Sequence, residues 1–558
     1  MPFGGGNLAF LCSAGNLHRL VLANDDNIHC LHTHKCLYKH APIAIFALTT
    51  ICDMKKTTSV STENPSLQQW FARFRKHIIG IDQQFETPFG KQPLVYADWT
   101  ASGRLYGPIE SRLQQQIMPF VGNTHTETST TGSAMTHAYH EALQLIKQHV
   151  GGNEQDVILA RGAGMTSVIN KFQRILGLRV HERFRDQIHL SEADRPVVFV
   201  THMEHHSNQI SWLETIADLE VIRPTDTGEV DLNHLEDLLR RYAKRKLKIG
   251  AFTSCSNVTG IFTPYHQLAA IMHHHGGLCF VDFACAAPYI PIQMHPDKEE
   301  ERLDAIYFSP HKFLGGPGTP GIIVFNSELY HNEVPDVPGG GTVAWTNPWG
   351  GRRYFDDIQA REDGGTPAFL QTIKAGLAIR LKEEMTPQRM WQREEALLDI
   401  LWPGMQRIPN LHLLADHQRH RLGVISFYIE GLHYNLAVRL LNDRYGIQTR
   451  GGCSCAGTYG HYLLQISYEK SKAITDEIDH GRLEVKPGWV RLSIHPTMTD
   501  QEAHYIVHAL EELAKNHKQW ADDYRYDHAT NEFYHKDGQQ RERDLAMHWL
   551  HTPITPND

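Results

Sequence analysis

Short, wholly apolar runs near Val197, Ile249, Leu278 and Ile306, each separated from the next by a segment of helical period, constrain the fold of this chain more than any other feature. A strand that is apolar on both faces must be covered on both, and parallel neighbours need long crossover connections, which helices supply. The alternation predicts an α/β domain, a mainly parallel sheet wrapped by helices. In such sheets ligands bind beyond the carboxyl ends of the strands. The residues that follow the apolar runs are therefore the candidates for chemistry: Glu204 to Asn208, Ser256 and Asn257, Asp282, and Ser309 to Lys312.

At 558 residues the chain exceeds what one hydrophobic core usually serves, so at least two domains are expected. A net charge of −9, from 54 basic and 63 acidic residues, gives no electrostatic footprint for nucleic acid or an anionic membrane, and directs attention to a small-molecule substrate. Nine cysteines, four of them before Asp53, do not form the dense framework of a small secreted protein; a reducing cytoplasm is expected. The longest apolar run, about Ala41 to Cys52, is too short to span a bilayer.

Residues 1–53 carry scattered histidines and cysteines with no sustained period, and read as an N-terminal extension, disordered or absent from the native protein, with Met54 the expected start. Residues 54–345 read as an N-terminal helix, LQQWFARFRKHIIG ended by Gly80, followed by the large α/β domain. NTHTETSTTGSAM, Asn123 to Met135, reads as a loop before a helix. Residues 346–525 mix helices with short strands, HRLGVISFYIE and WVRLSIHP among them, as a smaller α+β domain would. Residues 526–558 form a polar tail, expected as a surface helix or partial disorder.

Two segments carry chemistry of their own. In YFSPHKFLGGPGTPG, Tyr307 to Gly321, Lys312 follows an apolar run and precedes a glycine-rich turn. That setting permits the burial that lowers a lysine's pKa and makes it an imine-forming amine. In DVILARGAGMTSVINKFQRIL, Asp156 to Leu176, a strand, a glycine turn and a helix opening near Met165 and Thr166 make a cradle for an anion such as phosphate. The same pattern is also ordinary α/β packing.

In chain order the segments MEHHSN, SCSNVTGI, VDFACA, FSPHKFLGGPGTPGI, GGTP and RGGCSCAG resemble the class V aminotransferase superfamily of pyridoxal-phosphate (PLP) enzymes of fold type I, most closely the cysteine desulfurase and selenocysteine lyase branch. The resemblance runs from about Tyr96 to Asp500 and makes the large domain PLP-binding. It implies that Lys312 holds PLP covalently, that Asp282 pairs with the pyridinium nitrogen, that His205 lies over the ring, and that Asn257 lies near the ring hydroxyl. It further implies that Gly164, Met165, Thr166, Ser309 and His311 hold the phosphate. Thr366 would reach the phosphate of a neighbouring subunit, in a homodimer. Arg491 would clamp the carboxylate of a small amino-acid substrate. Cys455 falls at the position of the desulfurase nucleophile, and the branch hands its sulfur to an acceptor protein. Cys285, where desulfurases usually have glutamine, and Cys453, where they have histidine, depart from the pattern.

The resemblance thus implies a PLP-dependent enzyme, with removal of sulfur from cysteine as the preferred reaction. Amino transfer, elimination or epimerisation with Cys455 a bystander stays open, as does a non-catalytic sulfur-relay protein. Gly316, Gly318 and Gly321 satisfy G-x-G-x-x-G but run into the strand GIIVF, which removes the dinucleotide reading. His273, His274 and His275 are consecutive in a helical segment and point in different directions, so no metal is expected there.

Overall fold

The computed structural model describes residues 66–124 and 126–555, and the backbone of three antiparallel strands, Leu8–Ala14, Leu17–Asn24 and Asn27–Ile28. These three strands belong to one unit, Met1–Asn64, and the rest of the chain to a second, Pro65–Asp558. The expected start at Met54, and most of the extension before it, lie outside the described residues.

The second unit opens on helix α1, Leu67–Arg75. Ser66 and Gln69 close a capping box at its start, and Phe71 and Phe74 bury its apolar face. The helix stops at Lys76, one turn before Gly80. Helix α2, Thr130–His149, begins inside the hydroxyl-rich segment read as loop, because Ser129 accepts the Gly132 N–H and so supplies an N-cap.

Seven strands form the central sheet: β1 (Asp156–Arg161), β2 (Val197–Thr201), β3 (Asp218–Ile222), β4 (Lys248–Thr253), β5 (Leu278–Asp282), β6 (Ala305–Phe308) and β7 (Gly321–Asn326). Their order is β1-β7-β6-β5-β4-β2-β3. All run the same way except β7, which is antiparallel to both β6 and β1. Successive side chains point to opposite faces. Val197 and Phe199 accordingly enter one core, and Val198 and Val200 the other. Burying each such side chain stabilises the fold by about 1.5–3 kcal/mol, which explains why these runs are apolar throughout.

Helix α3 (Met165–Ile175) follows β1, and α4 (His206–Leu213) follows β2. Beyond the large sheet, α5 (Phe369–Met385) packs along α2, with Gly376 facing Ala142. A second, wholly antiparallel sheet is built from β8 (Leu411–Leu413), β9 (Val424–Ile429), β10 (Arg450–Gly452) and β11 (Trp489–Ser493) in the order β8-β9-β11-β10. Between β10 and β11 lie α6 (Gly457–Leu463) and α7 (Tyr468–Asp479). After α8 (Asp500–Trp520) the tail is ordered as a hairpin, Tyr524–Asp527 with Glu532–His535, and a surface helix, Arg541–His551. No helix among the described residues is long and apolar enough to cross a membrane.

Candidate active site

The carboxyl ends of β1, β2, β4, β5 and β6 face one cavity of about 410 Å³. Of the residues singled out from sequence, Gly164, Met165, Thr166, His205, Asn257, Asp282, Ser309, His311, Lys312, Cys455 and Arg491 all line it. Thr366 does not; it is exposed, in the Gly364–Pro367 turn before α5.

Lys312 ends a short 3-10 turn after β6. The segment that follows Tyr96 braces this turn: Gly103 N–H donates to His311 O at 2.9 Å, and Gly315 N–H to Arg104 O at 2.7 Å. The approach is so close that a Cβ at Gly103 would lie 2.0 Å from Phe313 O. Lys312 is half-buried, and the partial loss of solvent around its amine pulls its pKa down, while Cys285 and Asp282 oppose the shift.

Asp282, the last residue of β5, is buried and accepts the Ala284 N–H at 2.8 Å. Burial pushes its pKa up to about 6. Such a carboxyl gains most from a cation placed against it. His205 caps α4, its Nδ1 accepting the Ser207 N–H at 3.1 Å. Burial and the Lys312 charge hold its pKa down at about 3, so its ring is neutral and free to lie flat on an aromatic surface. His311 is held down at about 4 for the same two reasons.

At the start of α3, Met165 N–H donates to Ser309 Oγ at 2.8 Å, and Thr166 Oγ1 lies 2.7 Å from Ser207 Oγ. A Cβ on Gly164 would stand 3.2 Å from Ser309 Oγ and 3.6 Å from the His311 ring. Glycine thus keeps open a pocket walled by a helix N-terminus and three hydroxyls, the donor set a phosphate monoester takes. Half-buried amine, buried carboxyl, neutral histidine and anion cradle together fit PLP.

The smaller sheet supplies the guanidinium groups. Arg450 on β10 and Arg491 on β11 are directly opposite in register, a like-charge pair that would repel if left alone. Asp98 lies between them, its Oδ1 2.8 Å from Arg491 Nη2 and its Oδ2 3.0 Å from Arg450. It is placed there because Val95–Tyr96 pairs in parallel with Ile447–Gln448, so both chains run on together. Arg491 Nη1 donates to Asn257 O at 3.2 Å, while its buried Nε has no partner among the described residues. Sequence reading passed over Asp98 and Arg450 as functional residues. The available signal was an acid at the end of VYAD, followed by the small residues of TASG.

Cys455 is exposed and sits in a tight turn, Cys453 to Ala456, closed by Ala456 N–H to Cys453 O at 3.0 Å. Both central residues have positive φ, Ser454 at 51° and Cys455 at 56°, which is the type I′ pattern. The turn is pinned on several sides. His206 N–H donates to Cys455 O at 2.7 Å, Asn257 Nδ2 to Ser454 O at 2.7 Å, and Trp489 Nε1 to Ser454 Oγ at 3.2 Å. His206 Nε2 also accepts the Gly457 N–H at 2.9 Å. Two further cysteines, Cys255 and Cys285, line the same cavity, and each thiol donates to Ser256 O at 3.7 Å. His273 lies away from this cavity and spends its ring nitrogens on Glu300 O and Asp304 Oδ2.

Residues 95–506 match the model of the aminotransferase class-V family, so the chain belongs to that family of PLP-dependent enzymes. The chain is 28% identical over 376 residues to a probable cysteine desulfurase of Mycobacterium leprae, a match covering 66% of this chain but only 57% of that protein. It is 27% identical over 377 residues to a probable cysteine desulfurase of Staphylococcus epidermidis, covering 66% of this chain and 85% of that one. In fold it is similar to the apo cysteine desulfurase of Thermococcus onnurineus, with a TM-score of 0.63 and 21% identity over 80% of this chain and 98% of that one. The cysteine desulfurase CsdA of Escherichia coli gives 0.61 and 20% over the same shares.

Proposed function

We propose that this enzyme removes sulfur from L-cysteine, leaving alanine and a persulfide on Cys455. The observation that carries the reading is a thiol, Cys455, on the wall of the cavity that also holds Lys312, Asp282 and Arg491. Lys312 would hold PLP, with Asp282 as the partner for its ring nitrogen and His205 as the group to lie over its ring. Ser309, His311, Thr166 and the α3 N-terminus hold the phosphate. Bound PLP supplies an electron sink for the bonds at the substrate α-carbon.

Arg491, with Arg450 beside it, holds the substrate carboxylate; a guanidinium fork gives the orientation such a reaction needs. Lys312 Nζ, its pKa lowered by burial, takes and returns protons at the substrate carbons. Cys455 Sγ, as thiolate, attacks the substrate sulfur. The carbon–sulfur bond breaks, a sulfur–sulfur bond forms on Cys455, and the carbon fragment is protonated to alanine.

Thr366, exposed and outside the cavity of its own chain, supports a homodimer in which it completes the partner's phosphate site. A reducing, cytoplasmic setting suits the free thiols, and a thiol-bearing protein is the natural sulfur acceptor. The test compares two variants on L-cysteine. Lys312→Ala loses covalent PLP and all turnover. Cys455→Ala keeps PLP but releases almost no sulfide, several orders of magnitude below the parent. Full activity of Cys455→Ala on any amino acid would replace this reading with a transaminase or lyase.

A further inference from the structure

The triplet Cys453-Ser454-Cys455 stands between two cavities. Cys455 lines the one that contains Lys312. Cys453, half-buried, lines a second, of about 260 Å³, whose walls come from α6, α7 and the start of β11. Apolar residues such as Ile474 and Trp489 line most of it, with His206, His461 and Lys486 as its basic groups. The hydrogen bond across the turn brings its ends within about 7 Å. The two cysteines stand two positions apart within that one tight turn.

The Cys455 carbonyl is held by His206, and Ser454 is held by Asn257 and Trp489. A turn anchored this way is poorly suited to swing outward. The neighbouring thiol already faces the other cavity.

We propose that Cys453 is a second sulfur carrier, taking the outer sulfur from Cys455 by thiol–persulfide exchange and releasing it through the second cavity to an acceptor thiol. In the exchange, the Cys453 thiolate attacks the outer sulfur of the Cys455 persulfide. A bond forms between that sulfur and Cys453 Sγ, the bond to Cys455 Sγ breaks, and Cys455 leaves as a thiolate that takes up the proton Cys453 gave up. No oxidant or reductant is consumed. The inference rests on the desulfurase reading.

PLP-loaded protein is given one equivalent of L-cysteine, alkylated at successive times and cut with trypsin, and the extra sulfur is located by tandem mass spectrometry within the peptide Gly451–Lys470. The expected result is sulfur first on Cys455 and then on Cys453. In Cys453→Ser it stays on Cys455, and its release to dithiothreitol slows by tenfold or more. In Cys455→Ser neither position is loaded. Alanine formed with sulfur never found on Cys453 overturns the relay alone. Sulfur on Cys453 in Cys455→Ser overturns it too, making Cys453 the attacking thiol. Absence of alanine in the parent protein overturns the desulfurase reading, and the relay with it.

Discussion

Replacing Asp282 by asparagine should stabilise the cofactor-free protein and destabilise the cofactor-bound one. The carboxyl is buried at the end of β5 and its pKa is raised from 3.8 to about 6. A raised carboxyl pKa means that the folded state binds the proton more tightly than the unfolded state does. The resulting penalty is absent at low pH, grows as pH rises from the unfolded to the folded value, and is constant above about 6. A shift of about 2 units corresponds to roughly 3 kcal/mol at pH 8, shrinking below about 1 kcal/mol at pH 4. Asparagine keeps the oxygen that accepts the Ala284 N–H and removes the buried charge. Urea unfolding of PLP-free protein should therefore show Asp282→Asn more stable at pH 8 and nearly equal at pH 4. With PLP bound the order should invert, since asparagine cannot pair with a protonated ring nitrogen. A variant less stable than the parent at pH 8 without PLP, or still more stable with PLP, would refute the reasoning.

Glu394 is buried beside Gly423 N–H with its pKa pushed up to about 8, so Glu394→Gln should gain in melting temperature progressively from about pH 4.5 and fully above pH 8; the same gain at pH 5 and pH 9 would contradict this. His206→Ala removes the acceptor for Gly457 N–H and loosens the Cys455 turn, costing about 1 kcal/mol, or five- to tenfold in sulfide release, with unchanged PLP absorbance; equal loss of PLP would point to a cofactor role instead. Mixing Lys312→Ala with Thr366→Ala chains should restore part of the activity through hybrid dimers, whereas a monomer in sedimentation would remove the basis for shared sites.

The sheet was legible because β2, β4, β5 and β6 are apolar on both faces, with β2, β4 and β5 ending in a polar residue and β6 followed by Ser309, and the same ends announced the candidate site. Other features depend on contacts between distant segments. Asp98 reaches Arg491 across 393 positions of sequence, through a pairing of two-residue strands too short to have a period. The start of α2 was misread because serine and threonine favour both loops and helix caps, and only the Gly132 N–H bonded to Ser129 decides between them. The second cavity beside Cys453 arises where α6, α7 and β11 meet, and no local pattern encodes it.

The most direct test of the account is the fate of the substrate carbon. Purified, PLP-loaded protein is incubated with L-cysteine and a reductant, and alanine, pyruvate and sulfide are measured separately. The account predicts alanine and sulfide in equal amounts with no pyruvate, because the sulfur leaves to Cys455 and the carbon fragment is protonated. Pyruvate in step with sulfide, with no alanine, would mean elimination without a thiol nucleophile and would contradict it.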